Sequence, residues 1–168
     1  MKYRNLYDQY GNITDEVVKE GEKYPSNRRL PVAAIVIEND EKKLLIQKRS
    51  VSKDGVWSFT SGHIENSENS VDGIIRETKE ELGIELNSNQ IIEFNSGINE
   101  KYIFYSYYTK KNIELETLKL EFDEVEDARW LSLNEIDELI KNGSFKKSHI
   151  NIFNDYLKYF NINCELHS

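Results

Sequence analysis

The period of apolar and polar positions changes several times along the 168 residues, and each change marks an element. Short extended runs on either side of Tyr10-Gly11-Asn12 predict a small β-hairpin over residues 5–18 with a Gly-Asn turn. Val32 to Ile37 and Lys43 to Lys48 are apolar, β-branched runs, and the polar Glu38-Asn39-Asp40-Glu41 between them reads as a turn, so the two are expected to pair as strands. A third short strand is expected from Val56 to Thr60, after a loop containing Asp54-Gly55.

From Ser70 to Leu82 the spacing becomes helical. Val71, Ile74, Ile75, Thr78 and Leu82 fall on one side with charges opposite, and Gly83 supplies the stop. Ile91 to Phe94, Tyr102 to Thr109 and Ala128 to Leu131 return to strand character. Ser132 with Glu135 three residues on is a capping-box signature, opening a helix that runs through Ile136, Leu139 and Ile140 to Gly143. A last helix, about 146–160, carries the stripe Ile150, Phe153, Leu157 and Phe160. There is no internal repeat and no Pro-, Gly- and Ser-rich linker, so residues 1–168 are expected to form a single domain of α/β class with a mixed sheet between helices.

Composition narrows the function classes. Ten Tyr, seven Phe and two Trp supply large core side chains despite an apolar fraction of only 38%. A net charge of −8 argues against general nucleic-acid binding, which needs a basic stripe. Residues 1–10 mix Lys2, Arg4 and Asp8 among apolar residues and contain neither a signal-peptide core nor a membrane span, so a cytoplasmic protein is expected. The single cysteine, Cys164, stands away from metal-ligand spacing and is read as incidental.

The chemistry is concentrated in Gly62 to Ile84. Glu77, Glu80 and Glu81 lie three and four residues apart and share one face of the predicted helix near its C-terminus. Each like-charged pair costs roughly 0.2 to 0.5 kcal/mol, and the macrodipole also disfavours anions there. A hard divalent cation would offset both penalties, since clustered carboxylates are what Mg²⁺ or Mn²⁺ takes. Arg76 projects toward Glu80, where it can orient a carboxylate. Taken alone, the same run is better explained as a solvated helix face, the usual account of charge runs on helices.

In its wider context the segment resembles the Nudix box: a glycine, five residues, a glutamate, seven residues, then R-E-U-x-E-E-x-G-U with U aliphatic. Gly62, Glu68, Arg76, Glu77, Glu80, Glu81, Gly83 and Ile84 match in register; Thr78 departs at the first aliphatic position, where a β-branched side chain still packs inward. Ser61 also replaces a glycine often found there. The resemblance extends from about Leu30 to Ile140 and implies the Nudix fold, an α/β/α sandwich around a mixed sheet. It also implies hydrolysis of a diphosphate bond in a nucleoside diphosphate linked to another moiety, or in a related organic diphosphate, an enzyme acting on phosphorus-containing acid anhydrides. By the resemblance, Glu80, Glu81 and the Gly62 carbonyl hold Mg²⁺ (or Mn²⁺), and Glu77 is a ligand or the base that activates water. The catalytic set is thus Glu77, Arg76 and Glu80, and Glu124 is the candidate for a further ligand from a later loop.

Other assignments rest on less. Lys48, Arg49 and His63 are candidates for substrate contact. Trp57 is read mainly as a core residue, and Gly73 as a point of close approach. The expected partner is a small-molecule diphosphate, nucleotide-derived, with no membrane association; the N-terminal hairpin is left either to shape the pocket or to form a homodimer contact. The surroundings of the box also resemble isopentenyl-diphosphate isomerase and its hydrolase-like relatives. That enzyme's proton-transfer cysteine is replaced here by Ser61 and its early histidine ligands by Leu30-Pro31, which favours hydrolysis, although His63 and Glu100 match positions of its metal site. A non-catalytic nucleotide-binding domain on the same fold is the third reading.

Overall fold

Alternation along the longest strand, β3 (Arg28–Glu38), sets the two cores. Ala33, Ile35 and Ile37 join one buried cluster and Val36 joins another on the opposite face. The same division runs through β4 (Leu44–Arg49), with Leu45 on the first face and Leu44 and Ile46 on the second. In the computed structural model, which describes residues 2–162, helix α1 (Ser70–Leu82) covers the first face through Ile74 and Leu82. Helices α2 (Leu133–Lys141) and α3 (Lys147–Tyr159) cover the second through Ile136, Phe153 and Tyr156. The result is the expected α/β/α sandwich. Each fully buried aliphatic or aromatic side chain contributes on the order of 1.5–3 kcal/mol.

The sheet is mixed. Strand β3 runs parallel to β8 (Tyr102–Lys110) from Leu30↔Tyr102 to Glu38↔Lys110, and antiparallel to β6 (Thr60–His63). Strand β8 also pairs with β7 (Ile92–Ile98), and β4 pairs with β9 (Val125–Leu131). The predicted pairing of β3 with β4 is confined to Glu38↔Leu44, at the mouth of the polar turn. Beyond it the strands part, β3 toward β6 and β8, β4 toward β9.

The single strand expected from Val56 to Thr60 is instead two. Trp57–Ser58 (β5) pairs with β4, and β6 pairs with β3. Between them Phe59 is fully buried and gives its N–H to the His149 ring instead of a neighbouring strand. This change of partner at Phe59 sets Gly62 opposite Ala33 of β3.

The N-terminal hairpin comprises β1 (Tyr3–Asp8) and β2 (Ile13–Lys19). Its turn is fixed by Gly11 at φ 90° and by Asp8, whose carboxylate accepts the N–H groups of Tyr10 and Asn12. Strand β1 adds to the sheet through Tyr7↔Arg29, and Leu6, Val18 and Leu30 close a small cluster beneath it.

The predicted caps are present. Ser132 and Glu135 form the reciprocal capping box, and Gly83 ends α1 in the left-handed region at φ 72°. In α3, Phe153 and Leu157 of the expected stripe are buried while Ile150 and Phe160 are half-buried. Cys164 lies outside the described residues. Among the described residues no helix is long and apolar enough to cross a membrane.

Candidate functional site

Helix α1 begins where Asn69 accepts the Asp72 N–H, and the loop before it is strapped to the helix by one arginine. Arg76 donates to both Glu68 oxygens, with Nε at 3.0 Å and Nη2 at 2.7 Å, and Nη2 also reaches the His63 carbonyl at 3.0 Å. Its Nη1 meets Glu77 at 3.0 Å and Glu80 at 3.2 Å. Burial alone would raise the Glu68 carboxyl; the bonds from Arg76 and from the Glu65 N–H hold it below its usual range. Gly73 lets this loop close: a Cβ there would stand 3.1 Å from Glu68 Oε1 and 3.2 Å from Ile64. Thr78, the departure from the family pattern, is fully buried and donates to the Ile74 carbonyl at 2.7 Å. A threonine thus occupies an inward position without an unpaired hydroxyl.

The three glutamates are held differently. Glu80 is half-exposed and lies 3.8 Å from Lys2, which the N-terminal strand brings to the helix. Glu77 lies directly over Gly62, where any Cβ would collide with its carboxylate. Glu81 is 8% exposed and accepts from Gln47 Nε2 at 2.9 Å, while Gln47 Oε1 in turn accepts from Thr60 at 2.9 Å. Burial pushes the Glu81 carboxyl up to about 8, against the Gln47 bond, and the neighbouring Glu77 and Glu124 carboxylates push the same way. Glu77 is also raised, by burial first, with Arg76 opposing. Glu77 stands close enough to Glu81 to raise its proton affinity further.

These groups form one end of a cavity of about 1280 Å³. It brings together Gly62, Glu77, Glu80, Glu81 and Glu124 of the expected ligand set, and Arg49 and His63 of the expected substrate contacts. Glu124 meets Lys53 at 3.3 Å. Burial and the nearby Arg4 lower His63 to about 4, so its imidazole is neutral. Lys48 is not part of the cavity. Alternation on β4 sends Leu45, Gln47 and Arg49 to the α1 side and Lys48 to the other, where it pairs with Glu126 at 3.4 Å. Trp57 packs against the second core with the Arg129 guanidinium 5.4 Å from its ring centroid, as a core residue does. The N-terminal hairpin gives Lys2, Arg4 and Glu20 to the cavity wall, the first of the two roles left open for it.

Among the described residues, no three carboxylate or imidazole side chains are close enough, as they lie, to surround one ion. The donor chemistry nevertheless fits a hard divalent cation. Glu81 is buried and Glu77 beside it is half-buried, both at a raised proton affinity, a third carboxylate stands on the same helix, and Gly62 has no side chain between its carbonyl and Glu77. A cation would neutralise these carboxylates and remove their mutual repulsion.

Sequence reasoning missed Gln47 and Thr60 as the pair that orients Glu81. The available signal was a glutamine on the inward face of an otherwise apolar strand, since a buried amide needs partners. It also missed Lys2, His149 and Lys146, whose places in the cavity depend on contacts between distant segments.

A family model described as NUDIX domain matches residues 28–153. Over 150 residues the chain is 31% identical to an uncharacterized Nudix hydrolase of Listeria monocytogenes, covering 86% of this chain and 88% of that protein. It is 33% identical over 156 residues to an RNA pyrophosphohydrolase of Campylobacter jejuni, covering 80% and 93%. Among solved structures, DR0079 from Deinococcus radiodurans superposes with a TM-score of 0.79 at 15% identity, covering 91% of this chain and 98% of that one, a likeness of fold.

Proposed function

The chain belongs to the NUDIX family, and on that premise we propose that it is a metal-dependent hydrolase that opens the diphosphate bond of a nucleotide-derived or related organic diphosphate in the cytoplasm. The observation that carries this reading is the buried Glu77–Glu81 pair, set against Gly62 at the end of a large cavity. Fold stability alone does not favour two carboxyls buried side by side.

Mg²⁺ or Mn²⁺ would be held by Glu80, Glu81, the Gly62 carbonyl and Glu124, with Glu77 as a ligand or as the acceptor of the water proton. When bound, the ion polarises the diphosphate and makes water acidic enough to deprotonate near neutral pH. The chain's own residues do the rest. Arg76 fixes Glu77 and Glu80 on one side of the helix. Gln47, itself fixed by Thr60, holds one Glu81 oxygen so that the other faces Glu77. Neutral His63 sits on the cavity wall against Tyr102, with ring centroids 6.1 Å apart, and can donate to a substrate oxygen without adding charge.

The test is a phosphate-release assay with Mg²⁺ over a panel of nucleoside triphosphates, dinucleotides, nucleotide sugars, 5′-triphosphorylated RNA and non-nucleotide diphosphates. Turnover of at least one class that stops with EDTA supports the reading. Absence of turnover across the panel favours a non-catalytic nucleotide-binding domain, and rearrangement of isopentenyl diphosphate without phosphate release favours the isomerase-like alternative.

A further inference from the structure

Away from the glutamates, the cavity has a second polar wall that the metal chemistry does not use. Ser61, immediately before Gly62, has its Oγ 3.3 Å from His149 Nε2. The pair resembles a nucleophilic serine with its base, but the ring's other side excludes that role. Phe59 N–H donates to His149 Nδ1 at 3.2 Å, so the single proton of the neutral ring sits on Nε2 and points at Ser61. His149 is 6% exposed and stacks on Phe59, which holds the ring in that orientation. Ser61 therefore accepts from His149, and its own O–H is left to donate into the cavity.

Two cations line the same wall. Lys146, at the start of α3, is half-buried and forms no ion pair within 4.0 Å among the described residues. Burial lowers its ammonium pKa and the Arg49 guanidinium adds to that effect, while the Asp54 carboxylate, already bonded to Arg49, opposes it. Arg49 gives its Nε–H to Asp54 at 2.7 Å, which leaves its terminal nitrogens as donors. One carboxylate against a desolvated ammonium and a guanidinium leaves a net positive charge on this wall, which an anion entering the cavity relieves.

We propose that Lys146, Arg49 and the Ser61 hydroxyl form a subsite for a terminal phosphoryl group of the substrate, which makes molecules with a free phosphoryl end the favoured class over diphosphates esterified at both ends. A terminal phosphoryl carries nearly two negative charges and three outward oxygens, matching two cations and one neutral donor. A diester phosphate carries one charge and two such oxygens and leaves one cation unmatched. His149 acts as a positioning residue, setting the direction of the Ser61 proton.

This inference rests on the proposed diphosphate chemistry, and its test separates the two. Binding of methylenediphosphonate, whose bridge cannot be hydrolysed, is measured by calorimetry with Mg²⁺ for the full chain and for Lys146→Met, Lys146→Arg, Ser61→Ala and Lys101→Met. Lys101 also lines the cavity and is not part of the subsite. Expected results are a tenfold or greater weakening for Lys146→Met, a smaller loss for Ser61→Ala, recovery to within threefold for Lys146→Arg, and less than twofold for Lys101→Met. On substrates that turn over, Lys146→Met should raise KM for those with a free phosphoryl end and leave those esterified at both ends unchanged. Equal weakening by Lys101→Met and Lys146→Met, or no effect of Lys146→Met, overturns the subsite and leaves the hydrolase reading intact. Lys146-dependent binding without turnover of any organic diphosphate keeps the subsite and removes the hydrolase reading.

Discussion

Replacing Glu81 by glutamine should make the metal-free protein more stable while removing its activity. The glutamine keeps Oε1 as acceptor for Gln47 and turns the other end of the side chain into a donor toward Glu77. Because the folded carboxyl is raised to about 8, the folded state binds the proton more tightly than the unfolded chain does. That contribution is complete below the unfolded value of about 4.5 and is lost as pH rises toward 8, at up to about 1.4 kcal/mol per unit. Part of that shift comes from Glu77, so the expected gain from the substitution at pH 7.5 is on the order of 1–3 kcal/mol, falling below about 1 kcal/mol at pH 5. Urea unfolding in EDTA at the two pH values measures it. Excess Mg²⁺ should narrow the gap by stabilising the wild type alone, since the ion binds only its folded state. A variant less stable than wild type, or a gap unchanged by pH and metal, would refute the view that this carboxyl is held in place for a cation.

Three further outcomes follow from the same geometry. Gly62→Ala places a Cβ against the Glu77 carboxylate and should cut kcat about a hundredfold or more while thermal unfolding shifts by only a few degrees, checked by steady-state kinetics and calorimetry. Arg76→Lys cannot reproduce the two-pronged bond to Glu68 together with the contacts to Glu77, Glu80 and the His63 carbonyl, and should cost about 1–3 kcal/mol in urea unfolding. His149, lowered to about 3 by burial and by Lys146, is neutral when folded; its contribution is intact above pH 6.5 and lost as pH falls toward 3. Between pH 7 and 5 this amounts to about 2 kcal/mol, which should be missing from the pH dependence of His149→Asn, and the wild-type ring resonances should not titrate above pH 4.

What the sequence disclosed and what it withheld divide along physical lines. Helix α1 was legible from Ser70 to Leu82 because its apolar stripe and Gly83 stop are local, and α2 because its capping box is local. The glutamate cluster was legible as a cluster, but its burial was not. Burial depends on β4 bringing Gln47 beneath the helix, a contact 34 residues away in sequence. Lys48 and Arg49 looked equivalent as neighbours, yet a period of two places them on opposite faces, and only the sheet's position says which face opens on the cavity. The break at Phe59 was invisible because Val56 to Thr60 has ordinary strand composition; what divides it is a hydrogen bond to His149, 90 residues on.

Buried Glu81, beside Glu77, serves a metal-dependent hydrolysis in the proposed reaction. The most direct measurement is ³¹P NMR of wild type and Glu81→Gln acting on the best substrate of the panel, in H₂¹⁸O with Mg²⁺ and again with EDTA. Expected are cleavage by the wild type with Mg²⁺ alone, ¹⁸O in one phosphorus product, and loss of at least about a hundredfold in rate for a folded Glu81→Gln. Cleavage that survives EDTA, or a folded Glu81→Gln as fast as wild type, would contradict it.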